Sequence, residues 1–284
     1  MLATRRPYQK VTSAKLLYDS SIFWKGETQV EIQGKKAIIV GGASGFGKAT
    51  AELLAQRGAD VAVLDRPQSK GKEVADAIGG SFFEVDVTDF DGTEKVLQQA
   101  IERLGALHVI VTTAGGGAAE RTVKKDGPHS LESFRKCVDL NLIGTFNISR
   151  LAGWQMSQQD LVDDEQEERG VIINTASIAA FEGQIGQVAY TASKAAIAGM
   201  CLTMARDMGS LGIRALAIAP SLFATGLTEG IPDEFAKALT KDAAFPKRLG
   251  KPEEYAKLVA AIVENPMLNG QCLRLDAGQR FAPK

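Results

Sequence analysis

"KAIIVGGASGFGKATAELL", residues 36–54, passes from an apolar run through a glycine cluster into a helical pattern. Gly41, Gly45 and Gly47 follow the spacing G-x-x-x-G-x-G, directly behind a predicted strand and ahead of a predicted helix. Glycine lets the backbone turn sharply and approach a pyrophosphate closely. The helix behind it offers unpaired N–H groups and a positive dipole end to an anion. In a chain with 29 glycines such a trio alone is a weak signal. Strand, loop and helix falling in register give it weight, as the first unit of a dinucleotide-binding fold.

The alternation continues along the chain. Runs rich in Val, Ile and Leu at 59–65, 81–87, 107–113, 170–176, 213–220 and 271–276 predict further strands. They lack clean polar alternation, as strands buried on both faces of a parallel sheet do. Helical patterns lie between them, such as 48–57, closed by Gly58, and 88–104, ending before Gly105. This order predicts an α/β fold: a Rossmann-like doubly wound parallel β-sheet with helices on both faces, one domain over residues 35–284. Two segments break the rhythm. "AAERTVKKDGPHS" (118–130) and the acidic "SQQDLVDDEQEERG" (157–170) both read as exposed loops.

Composition narrows the function classes. The chain has 284 residues, 45% hydrophobic and 24% charged, with a net charge of −1. That is ordinary for a soluble globular protein with a sizeable core. It offers no basic field, so neither nucleic acid nor a membrane is an expected partner. Apolar runs fall short of the roughly 18 residues of a membrane span. The longest, 195–205, reads as a buried or subunit-facing helix. Cys137, Cys201 and Cys272 are widely spaced without a CxxC, which fits a reduced compartment with neither disulfides nor zinc. His108 and His129 are the only histidines, which speaks against a histidine-based triad or metal site. In residues 1–34, Arg5, Arg6, Lys10 and Lys15 precede the first acid, Asp19. An irregular N-terminal extension on a cytoplasmic protein is the simpler reading. A transit peptide, with a mitochondrial matrix location, is the alternative.

Asp65 ends the second predicted strand, where a dinucleotide fold holds the adenosine ribose. A carboxylate there accepts both ribose hydroxyls and repels a 2′-phosphate, so NAD is the expected cofactor. Arg66 beside it could receive a 2′-phosphate, but Ser44 in the glycine loop adds no second positive charge. "AYTASKAAIAG" (189–199) sets Tyr190 and Lys194 one helical turn apart on the same face. A free tyrosine, with a pKa of about 10, is a poor base at neutral pH, and a neighbouring ammonium favours the phenolate. Ser177 lies just past the fifth predicted strand, at the carboxyl edge where α/β sheets bind ligands. It can donate a hydrogen bond to a substrate carbonyl oxygen.

Together, Gly41 to Gly47, Asp65, Ser177, Tyr190 and Lys194 resemble the short-chain dehydrogenase/reductase family, over residues 34–284. Within it, "GVIINTASIAAFEGQIGQVAYTASKAAIAGM" (170–200) and "FPKRLGKPEEYAKLVAAIVENPMLNGQ" (245–271) are most similar to the branch of type 2 3-hydroxyacyl-CoA dehydrogenases. The resemblance implies an NAD-dependent oxidoreductase of fatty acid metabolism, a homotetramer interconverting 3-hydroxyacyl-CoA and 3-oxoacyl-CoA. A hydroxysteroid or other bulky secondary alcohol is the alternative substrate. A non-catalytic dinucleotide-binding scaffold or sensor is the alternative of another class. The resemblance makes Tyr190 the catalytic acid/base, Lys194 its pKa modulator and nicotinamide-ribose ligand, and Ser177 the carbonyl orienter. Asn141, in "VDLNLIGTF", would hold a water next to the lysine. Gln184 joins Ser177 and Tyr190 against the substrate. Gly41, Ser44, Gly45, Phe46, Gly47, Asp65, Asp86, Val87, Thr113, Gly115, Phe223 and Thr225 would meet the cofactor, and no metal is implied.

Three positions depart from the family pattern. Val40 replaces a usual threonine, and "TTAG" (112–115) stands where "NNAG" is common, so Thr112 cannot make the same amide bonds. Ser221 replaces a glycine after Pro220, which is expected to constrain the backbone beside the cofactor. Arg121, Lys124 and Lys125 lie in the insertion after the fourth predicted strand. They read either as cations attracting coenzyme A phosphates or as a solvated loop.

Overall fold

The computed structural model of the chain describes residues 31–117, 119–161, 167–228 and 230–283. Its centre is a seven-stranded sheet in the order β3-β2-β1-β4-β7-β8-β9. These strands are β1 Lys36–Val40, β2 Asp60–Asp65, β3 Ser81–Glu84, β4 Val109–Thr112, β7 Gly170–Thr175, β8 Ile213–Pro220 and β9 Cys272–Leu275. Every pairing among them is parallel. The helices are α1 Gly45–Gln56, α2 Gly71–Ala77, α3 Phe90–Leu104, α4 Leu131–Val138, α5 Gly144–Ser157, α6 Val188–Met208, α7 Asp233–Leu239 and α8 Pro252–Glu264. Strand order reverses between β1 and β4, and a crevice opens there at the carboxyl ends of the strands.

Alternating strand residues build two cores. Ala37, Ile39, Val61 and Val63 face α1, α2 and α8, where they meet Leu54, Val74, Tyr255 and Val259. Ile38, Val40, Ala62 and Leu64 face the other way, toward Leu97 and Ile101 of α3, Ile148 and Met156 of α5 and Met204 of α6. Both faces of each strand are therefore apolar, which is why the strands read as continuous hydrophobic runs. Gly58 and Gly105 close α1 and α3 with φ of +87° and +81°. By length and composition the helical stretch Val188–Leu211 is apolar enough to cross a membrane, with mean hydropathy 1.2 over an 18-residue window. The apolar run is thus longer than 195–205. In the fold, α6 packs along β8 and buries Ala189, Ser193, Lys194, Ile197, Cys201 and Met204.

The two expected loops are more structured than their polarity implied. Within 118–130, β5 Val123–Lys124 and β6 Gly127–Pro128 pair as a small antiparallel hairpin. In the acidic segment, the Gln159 amide accepts from Leu107 N and donates to Leu107 O and Arg169 O. Residues 162–166, like residues 1–30 of the N-terminal extension, lie outside the described residues. Ile32, within the expected extension, is 3% exposed and packs in the first core.

Glu168, read as part of an exposed acidic loop, is buried against Arg214 of β8 at 3.1 Å, with exposures of 9% and 7%. Arg214 also donates to the carbonyls of Ile262, Val263 and Leu268, tying the end of α8 to the chain that leads into β9. Removing one partner leaves the other as an unpaired buried charge. Arg214→Leu is expected to cost about 3–5 kcal/mol, read from the midpoint of denaturant unfolding. A midpoint equal to wild type would show that the pair bears no strain of the fold.

Candidate active site

The glycine loop is shaped by what its residues lack. A Cβ at Gly41, where φ is +82°, would lie 2.6 Å from Ala114 N. One at Gly47 would lie 2.1 Å from Gly41 O. No other residue allows this approach. Asp65 braces the loop from β2: its carboxylate accepts from Ala43 N at 2.9 Å and from Arg66 N at 2.7 Å. Ser44 caps α1 without a side-chain bond, and the first turn carries no acid. The helix N–H groups therefore face a cavity of about 350 Å³ that Gly41, Ser44, Gly45 and Phe46 line. A second cavity, of about 410 Å³, shares Gly41, Ser44, Thr113 and Gly115 and extends to Asp65, Asp86 and Val87. Hydrogen bonds from the Thr88 hydroxyl and N–H hold the Asp86 carboxyl below the usual range, and the Arg66 charge adds to this.

The first cavity also reaches Thr175, Ser177, Tyr190 and Lys194. The end of β7 delivers Ser177, whose Oγ accepts from Ala179 N at 3.1 Å. Tyr190 and Lys194 project from the first turns of α6. Lys194 is 3% exposed and donates to Thr175 O at 2.7 Å. Burial pulls its pKa down to about 8. Asn141 sits in one π-helical turn, Asp139–Ile143, between α4 and α5. Such a turn displaces a helix residue and is frequent at functional sites. The Asn141 amide grips the backbone of one residue: Oδ1 accepts from Gly116 N at 3.0 Å and Nδ2 donates to Gly116 O at 2.6 Å. A Cβ at Gly115 would lie 2.7 Å from Asn141 Oδ1 and 3.2 Å from Lys194 Nζ, so that glycine keeps open the space between them.

One electrostatic expectation is reversed. Burial pushes the Tyr190 phenol above its ordinary pKa, the hydrogen bond with Ser177 pulls it down, and the nearby Cys137 thiol adds a smaller upward push. Lys194 lies 5.7 Å from the ring centroid and directs its ammonium at Thr175, whereas desolvation acts on the phenol directly. A phenol that keeps its proton is the form that donates to a carbonyl oxygen.

The other expected residues divide. The Thr113 hydroxyl shares its one proton between Val40 O and Gly41 O, 3.1 Å from each, binding β4 to the glycine loop. Thr225 lines the first cavity, and its methyl would sit 3.0 Å from a Cβ at Gly45. Phe223 also lines it, but its ring is packed against Phe46 and over Gly250. Gln184 does not line the catalytic cavity. Its amide donates to Ala282 O at 3.2 Å, and it borders a separate surface cavity with Arg121, Ile185 and Pro283. Lys124 forms a 2.9 Å ion pair with Glu120, which matches its charge. Of the three departures, Val40 is simply core, at 1% exposure. Ser221 is not among the described residues with positive φ, so it fits without strain. The Thr112 hydroxyl is buried with no partner among the described residues. Sequence reading missed Thr175 and Gly116, which act through backbone atoms that leave no mark on residue type.

This donor set fits a nicotinamide dinucleotide. N–H groups of the glycine loop stand where two adjoining cavities meet, with a carboxylate in one and a serine, a tyrosine and a lysine in the other. Comparison with known proteins agrees. The model of the short chain dehydrogenase family matches residues 35–236. The chain is 46% identical over 256 residues to 3-hydroxyacyl-CoA dehydrogenase type-2 of Drosophila melanogaster, covering 89% of this chain and 100% of that one. It is 47% identical to the Bos taurus protein of the same name, covering 89% and 97%. The crystal structure of 3-hydroxyacyl-CoA dehydrogenase type-2 from Mycobacterium avium superposes with a TM-score of 0.83 at 41% identity, covering 88% of this chain and 98% of that one. The chain belongs to the short-chain dehydrogenase family and is an oxidoreductase that acts on CH–OH groups with a nicotinamide dinucleotide.

Proposed function

We propose that the protein interconverts 3-hydroxyacyl-CoA and 3-oxoacyl-CoA with NAD. One observation carries the reading: Ser177, Tyr190 and Lys194 share one cavity with the glycine loop, in a chain 46% identical to a 3-hydroxyacyl-CoA dehydrogenase type-2. The dinucleotide supplies the hydride acceptor. The chain's own residues handle the oxygen. Tyr190 takes the hydroxyl proton as the alcohol is oxidised and returns it as the ketone is reduced. Ser177 donates to the same oxygen and steadies the charge that shifts onto it. Lys194 and Asn141 hold the floor on which the reacting atoms sit. Replacing Tyr190 by Phe removes the transferable proton and little volume. It is expected to lower kcat for acetoacetyl-CoA reduction by roughly 10²–10⁴-fold while NADH binding, followed by fluorescence, stays near wild type. A variant retaining a tenth of the wild-type rate would remove Tyr190 from the proton transfer.

Asp65 supports NAD over NADP, since its half-buried carboxylate borders the second cavity beside Arg66. Because it also holds Ala43 N, Asp65→Ala is expected to weaken both cofactors. The loss should be greater for NAD, so the ratio of kcat/KM for NADP to that for NAD rises. An unchanged ratio would count against the ribose assignment.

The oligomer we propose is a homotetramer. Phe146 and Trp154 of α5 are 45% and 67% exposed and lie on one stripe of the helix, and Leu202 of α6 is 49% exposed. Apolar faces of this kind are ordinarily covered by a second copy. Sedimentation at micromolar concentration is expected to give the tetramer, and Trp154→Glu with Leu202→Glu smaller species. A stable wild-type monomer would exclude this assembly.

A further inference from the structure

Tyr255, on α8, has no place among the residues assigned so far. It is fully buried at 0% exposure, in the core that faces away from α6. Its hydroxyl lies 2.8 Å from Thr175 Oγ1, which also bonds Thr112 O at 2.6 Å. A threonine hydroxyl carries one proton, and a carbonyl can only accept. Thr175 therefore donates to Thr112 O, and Tyr255 donates to Thr175. The backbone carbonyl of the same Thr175 accepts from Lys194 Nζ at 2.7 Å. The ring of Tyr255 stacks on Phe46, with centroids 4.4 Å apart and planes at 26°. Phe46 is the second residue of α1, inside the glycine loop, and lines the catalytic cavity.

We infer that Tyr255 is a positioning residue of the dehydrogenase site, fixing Thr175 and hence the Lys194 ammonium through its hydroxyl, and the glycine loop through its stack on Phe46. The inference rests on the roles given to Lys194 and the glycine loop under the proposed function. Its two couplings use different atoms and can be separated. Burial holds the phenol far above its ordinary pKa, so it remains a donor throughout the working range.

Wild type, Tyr255→Phe, Thr175→Val, the double variant and Tyr255→Leu are compared in two assays. One is steady-state reduction of acetoacetyl-CoA, and the other is NADH binding by fluorescence without substrate. Tyr255→Phe keeps the stack and loses the donor. It is expected to lower kcat about tenfold, the scale of a small misplacement of a catalytic group, with KM and NADH affinity within about twofold. Thr175→Val should lower kcat likewise, and the double variant no further than Thr175→Val, because both act through one bond. Tyr255→Leu should also weaken NADH binding about tenfold. Wild-type kcat in Tyr255→Phe with only a lowered Tm, losses that multiply in the double variant, or wild-type NADH affinity in Tyr255→Leu would each overturn the inference. A wild-type protein that binds NADH tightly and ignores acetoacetyl-CoA would instead contradict the proposed substrate, and the Tyr255→Leu binding assay would still decide the stacking role.

Discussion

The bond from Lys194 Nζ to the carbonyl of Thr175 is the interaction on which the rest of the site depends. Taking an ammonium out of water costs several kcal/mol unless something accepts its protons. Burial pulls this lysine down to about 8, and a carbonyl at the end of β7 accepts one of its protons. The carbonyl is placed by register: Asn174 lies opposite Thr112 of β4, and Thr175 opposite Ile218 of β8. The lysine in turn fixes the rotation of α6, and that aims Tyr190, one turn earlier, at Ser177. A slip of one residue in β7 would turn the strand's side chains to the opposite face and dismantle the group.

The two ends of the cavity are built on opposite principles. At the phosphate end, side chains are missing. Gly41 and Gly47 let backbone pack on backbone, and the first turn of α1 is left with free N–H groups. At the catalytic end, polar side chains are buried and each is held by a backbone atom. Lys194 is held by Thr175, Asn141 by Gly116, and Ser177 by Ala179. Such bonds leave the reactive atoms little freedom, which is the condition for electrostatic stabilisation without reorganisation. The raised pKa of Tyr190 belongs to the same end of the site: burial favours the protonated phenol, the form that gives its proton to a ketone oxygen during reduction.

Much of this was legible in the sequence because it is carried by residue type and period. All seven sheet strands fall inside the apolar runs, since burial on both faces leaves a continuous hydrophobic signal. The glycine spacing located the loop, and the spacing of Ser177, Tyr190 and Lys194 located the chemistry. What escaped is carried by backbone atoms or by distance along the chain. Nothing in Thr175 as a residue type announces that its carbonyl holds a lysine, or that Tyr255, 80 residues on, donates to its hydroxyl. Glu168 read as one more acid in a charged loop, yet Arg214 buries it. Gln184 is near Ser177 in sequence, but its loop directs the amide toward the C-terminal segment at Ala282. The expected downward shift of Tyr190 was wrong because helical spacing reports neighbours and says nothing of solvent.

We propose that these residues serve hydride transfer between a nicotinamide and the 3-position of an acyl thioester. The most direct measurement is mass spectrometry of the 3-hydroxybutyryl-CoA formed from acetoacetyl-CoA and NADH that is deuterated at the transferring position of C4. The expected product carries one deuterium, at C3. Product without deuterium, or no product with either NADH or NADPH, would contradict the account.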